Sequence, residues 1–126
     1  MKEIHLIGSE LLESFFTGYP ENRAKEARSL ISEAAQGNVI LEILPMSLFK
    51  LIYDLEQLYQ KSPDEIQNAL STFLRSKGIQ IRDGEVIFKA LRRYRNMGNG
   101  FEQLCLDACS EVEGKKIAKS ISMGRR

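Results

Sequence analysis

The run Val39-Ile40-Leu41-Glu42-Ile43-Leu44 constrains this chain more than any other segment. It is nearly continuous in apolar residues, it follows Gly37, and Pro45 stops it. A strand buried on both faces has that composition, and such strands belong to parallel sheets sandwiched between helices. Two shorter segments also read as strands: Ile4 to Ile7 and Ile79-Gln80-Ile81. Lys116-Ile117-Ala118 is a weaker fourth strand.

Helical spacing fills the intervals. Ser9 is placed to cap a helix carrying Leu11, Leu12, Phe15 and Phe16, and Gly18 ends it. Pro20 suits the first position of the next helix, whose stripe is Ala24, Ala27, Leu30, Ile31 and Ala34. After Pro45, Leu48, Leu51, Ile52, Leu55, Leu58 and Tyr59 recur at helical intervals. Ser62-Pro63-Asp64-Glu65 is a capping box, with Ser62 as the cap and Glu65 reaching back to it. Asp83 is placed to cap a helix with Val86, Ile87, Ala90, Leu91 and Tyr94. Gly98-Asn99-Gly100 is a break, and Phe101, Leu104, Cys105, Ala108, Cys109 and Val112 mark the last helix. Strands alternating with helices predict an α/β domain with a mostly parallel sheet.

The 126 residues suit one domain, 1–126, with a flexible basic tail from about 120. At 43% hydrophobic residues the chain has enough apolar surface to fold, and no run approaches a membrane span. Cys105 and Cys109 sit four apart on a helical pattern, as packed thiols in a reducing compartment do, so a cytoplasmic protein is expected. His5 alternates with apolar residues on the first strand, a structural position more than a catalytic one. Charge is unevenly spread. Residues 1–60 hold five Lys/Arg against nine Asp/Glu, and residues 61–126 hold thirteen against eight. The basic excess gathers at Lys89, Arg92, Arg93 and Arg95 and at the C-terminus, either as solvated faces or as a phosphate-contacting surface.

The order of these segments resembles the PIN domain, in the branch that includes ribonuclease toxins of bacterial toxin–antitoxin pairs. The likeness lies in order and spacing over nearly the whole chain, most of all from Gly37 to Leu58 and from Ser62 to Phe101. It implies a three-layer α/β/α fold around a central, mostly parallel sheet of four to five strands. Members of that family cut RNA with Mg²⁺ or Mn²⁺ held by converging carboxylates, which supply the hard oxygen ligands that such ions need.

Carried over position by position, the ligands are replaced. Ile7 stands where the first acid would be, in Leu6-Ile7-Gly8-Ser9, and Ser9 follows it in the same cleft. Lys50 stands at the second, and Gly100 and Gln103 at the two that flank Phe101. A Lys ammonium about 4 Å from a divalent cation repels it by about 8 kcal/mol at an effective dielectric of about 20. No cofactor is therefore expected. The resemblance implies a domain that has lost cleavage and acts by binding: a homodimer, with a protein partner in the former active-site groove or with RNA, and away from membranes. Lys50, Lys89, Arg92, Arg93 and Arg95 would then contact RNA. The alternative is a residual Mg²⁺- or Mn²⁺-dependent endoribonuclease that uses relocated acids, Glu10, Asp54 and Glu102. Asp54 lies a turn deeper along its helix than Lys50, and Glu102 points about 100° away from Gln103, so all three read more simply as surface carboxylates.

Overall fold

The computed structural model describes residues 2–94 and 101–118. Arg95, Gly100, the Gly98-Asn99-Gly100 break and the tail from about 120 lie outside them. Three strands and six helices follow one another: β1 (Ile4–Leu6), α1 (Ser9–Thr17), α2 (Glu21–Ala35), β2 (Ile40–Ile43), α3 (Pro45–Gln57), α4 (Pro63–Leu74), β3 (Ile79–Ile81), α5 (Gly84–Arg93) and α6 (Phe101–Glu113).

The strands form one parallel sheet in the order β1-β2-β3. Ile4 lies beside Ile40 and Leu6 beside Glu42, while Leu41 lies beside Ile79 and Ile43 beside Ile81. One face carries Leu41, Ile43 and Ile79, all buried in a core shared with Ile7, Leu12, Leu48, Leu51, Ile52, Ile66, Leu70, Ile87, Leu91 and Phe101. The other face carries Ile4, Ile40, Leu6, Glu42 and Gln80, each half-exposed or exposed.

This corrects the expected architecture. The described residues hold a three-stranded sheet and a predominance of helix, in place of the four- to five-stranded sheet of a three-layer α/β/α fold. Two expectations fail for physical reasons. Lys116-Ile117-Ala118 is not a strand: Gly114 turns the chain at φ +71°, and Ser110 donates its hydroxyl to the Lys115 carbonyl at 2.5 Å. β2 is not buried on both faces; Leu41 and Ile43 face the core, whereas Glu42 reaches outward to Arg82 at 3.2 Å.

Local signals explain most boundaries. The Ser62 capping box is complete, with Glu65 N–H donating to Ser62 Oγ at 3.1 Å and Ser62 N–H donating to Glu65 Oε1 at 2.9 Å. Pro45 begins α3, where its missing N–H costs no helical bond. Three expected starts differ: Gly8, not Ser9, is the N-cap of α1; Pro20 is the N-cap of α2 and not its first residue; Asp83 precedes α5 without a side-chain cap bond. Gly78 admits no side chain. Its φ is +83°, and a Cβ there would stand 2.4 Å from the Ala34 carbonyl oxygen, so the end of α2 lies directly on the backbone that enters β3.

Candidate functional site

β1 delivers the chain into α1, and β2 delivers it into α3; the two helices pack together. On α1, Glu10 and Glu13 are three residues apart and share a face. On α3, Lys50 and Asp54 are four apart, and Lys50 Nζ donates to Asp54 Oδ2 at 2.7 Å. Asp54 is 4% exposed, so it is not the surface carboxylate that its sequence context suggests.

A second carboxyl shares this site. Burial, then hydrogen bonding to Asp54 and the charge of Asp54, push the Glu13 carboxyl up to about 7, and Glu10 adds to the rise while Lys50 opposes it. Asp54 moves the other way. The hydrogen bond from Glu13 is the largest cause of its lowering, with Lys50 adding to it against the effect of burial. The two shifts run in opposite directions, so below about pH 7 the pair favours one shared proton and one negative charge, with the Lys50 ammonium beside Asp54. Sequence reading missed Glu13. Its signal was the Glu10–Glu13 spacing on the helix that faces Lys50 and Asp54.

The remaining predicted positions fall elsewhere. Ile7 is 3% exposed and belongs to the core; its N–H donates to the Glu42 carbonyl at 3.0 Å. Ser9 is the first residue of α1. Gln103 is exposed on α6 and donates to Asp107 Oδ1 at 3.0 Å along its own helix. Glu102 lines a different cleft, with Pro45, Phe49, Cys105 and Cys109. Thus Asp54 meets Glu13 and Lys50 at the α1–α3 seam, Glu10 acts on Glu13 and Lys50 only through its charge, and Glu102 lines another cleft. α6 does approach α3: Phe101 packs edge-on against Phe49 at 5.3 Å and against Tyr94 at 5.8 Å, and the Tyr94 hydroxyl donates to Glu56.

A divalent cation does not suit the α1–α3 residues. The Lys50 ammonium occupies Asp54 at 2.7 Å, and the apolar Ile7 side chain offers no donor. Among the described residues, no group of three or more His, Cys, Asp or Glu side chains is arranged to hold a metal ion. Thiol chemistry is also disfavoured at Cys105, whose thiol burial pushes up to about 11. His5 is exposed and pairs with Glu3 at 2.8 Å.

The basic residues are largely engaged. Arg93 makes two 2.8 Å bonds to Glu111, and Lys89 lies 3.4 Å from the same carboxylate. Arg93 is the largest cause holding Glu111 down at about 2. This cluster ties α5 to α6, and Lys50 stands apart from it on α3 with Asp54. Arg92 is exposed at the end of α5.

A cleft of about 790 Å³ runs between α1 and α4 over Phe15, Phe16 and Phe73, whose rings meet at 5.2–5.4 Å. No described helix is long and apolar enough to cross a membrane. Comparison with known protein families gives no matching family, and no characterised protein matches the chain.

Proposed function

We propose that this chain is a protein-binding domain that takes an extended segment of its partner along β1, and that it does not cleave RNA by a metal-dependent route. One observation carries the reading. β1 is an edge strand whose apolar side chains are uncovered, Ile4 at 55% exposure and Leu6 at 63%, and among the described residues its outer edge pairs with nothing. Natural edge strands are commonly guarded by Lys, Pro, a bulge or a covering element. Ile4-His5-Leu6 is guarded by its shortness alone: among the described residues it has no Lys, Pro or covering element, and an exposed apolar edge of this kind is a template for strand addition. Supporting it, Glu13, Asp54 and Lys50 satisfy one another, while Lys89 and Arg93 are neutralised by Glu111 and so offer less to phosphates.

Two measurements test this. A photo-cross-linking residue in place of Leu6 should trap an identifiable protein in cells, whereas the same residue in place of Leu106 on α6 should not. An RNA adduct, or no adduct at position 6, overturns the proposal. Purified protein with structured RNA and Mn²⁺ should leave the RNA intact. Cleavage that disappears in Glu13→Gln and Asp54→Asn would overturn it equally.

A further inference from the structure

Resting on that reading, we propose that the segment taken up by β1 is β1 of a second copy of this chain, paired antiparallel about a twofold axis at His5. The backbone sets the register. Glu3 accepts from Ile40 N–H, and Ile7 N–H donates to Glu42, both at 3.0 Å. Odd-numbered residues of this segment therefore turn their peptide groups toward β2. The N–H and C=O of Ile4 and Leu6 consequently face outward. In a twofold pairing centred on His5, Ile4 of one copy stands opposite Leu6 of the other, and each such pair exchanges both of its backbone bonds.

The side chains are self-complementary in that register. Ile4 and Leu6 lie on the open face of the sheet, so the two copies lay their apolar residues side by side across the join. Glu3 and His5 lie on the opposite face and already attract one another at 2.8 Å. The pairing sets each Glu3 diagonally across from the His5 of the second copy, within reach of a side chain of that length. A carboxylate and an imidazole that already hydrogen-bond within one strand thus meet again across the axis, which a strand without an acidic residue two positions before a histidine would not provide. The far edge differs: β3 carries the exposed Gln80, and Arg82 beside it is held by Glu42. Because the strand is short, the interface falls among those burying less than about 1,200 Å² in total, which are transient. The test must therefore trap the pair.

His5 of each copy would stand opposite the other in a pair without backbone bonds, where Cα atoms approach to about 4.5 Å, a separation that a disulfide spans. His5→Cys in the full chain should form a covalent dimer linked through position 5 on mild oxidation. Lys2→Cys, whose two copies would lie about 20 Å apart, should do so several-fold more slowly. Adding Leu6→Lys or Ile4→Lys to His5→Cys should abolish the link while leaving the thermal melt unchanged. No link, equal rates at positions 2 and 5, or a link that survives both lysine variants overturns self-pairing. If the link fails while position 6 still traps a different protein in cells, self-pairing is wrong and the binding reading stands; if position 6 traps no protein, both fall.

Discussion

Lys50 Nζ stands 2.7 Å from Asp54 Oδ2, one turn along α3, and across the helix seam the Glu13 carboxyl is raised by burial and by the same aspartate. A cation and a neutral carboxyl thus both stabilise one buried negative charge. Asp54→Ala removes it and leaves Glu13 and Lys50 without the carboxylate between them. We expect a loss of about 1–3 kcal/mol in chemical denaturation. A loss below the error of measurement would mean that the seam does not depend on this carboxylate.

The same pair fixes a pH dependence. The Glu13 carboxyl sits at about 7 in the folded chain against an ordinary value of 4.5. A raised acid binds its proton more tightly when folded, so its stabilising contribution is complete below 4.5 and disappears as pH rises through about 7. Asp54 is lowered from 3.8, so its contribution is present above that value and is lost as pH falls. The melting temperature should peak near pH 5 and decline toward pH 8. Glu13→Gln should flatten the alkaline side. A wild-type curve that is level between pH 5 and 8, or one that Glu13→Gln leaves unaltered, would contradict the shared proton.

Ser14 lies in α1 beside Glu13 and is 1% exposed, and its Oγ has no hydrogen-bond partner among the described residues. A buried hydroxyl without a partner destabilises, and alanine also favours helix more than serine does. Ser14→Ala should raise stability by about 1 kcal/mol, read as a higher denaturant midpoint with an unchanged slope. A destabilised variant would indicate that the hydroxyl has a partner after all.

At the opposite end of the sheet, Gly78→Ala combines positive φ with a Cβ 2.4 Å from a backbone oxygen, and backbone cannot swing aside as a side chain does. The expected cost is about 2–4 kcal/mol. Ser62→Ala, which removes one half of the capping box, should cost about 1 kcal/mol. If thermal melts ranked these two in the reverse order, the close approach of α2 to β3 would be wrong.

Local features of the fold were legible in the sequence. The Ser62 box, Pro45 and the apolar periods marked helices, and two short apolar runs marked β1 and β3. Long-range features were not. An unbroken apolar run such as Val39–Leu44 has the same composition whether one face of a sheet is covered or two, so the open face at Ile4, Ile40 and Leu6 was hidden. Lys116-Ile117-Ala118 alternates like a strand, but alternation does not supply a neighbour to pair with. At the site, spacing placed Glu10 and Asp54 among the candidate acids but read both more simply as surface carboxylates, so the burial of Asp54 was not legible. Glu13 was passed over because its partner lies on another helix, and its altered acidity comes from burial that the chain order does not display.

The sheet has one more consequence. β1, β2 and β3 lie side by side in the order in which they occur along the chain, so each new strand adds beside the one made just before it. Translation delivers the N-terminal segment first, and β1 can pair with β2 before β3 has left the ribosome. The outer edge of β1 is therefore the side to which no later described strand of the chain adds, so its free edge exists as soon as β1 and β2 have paired.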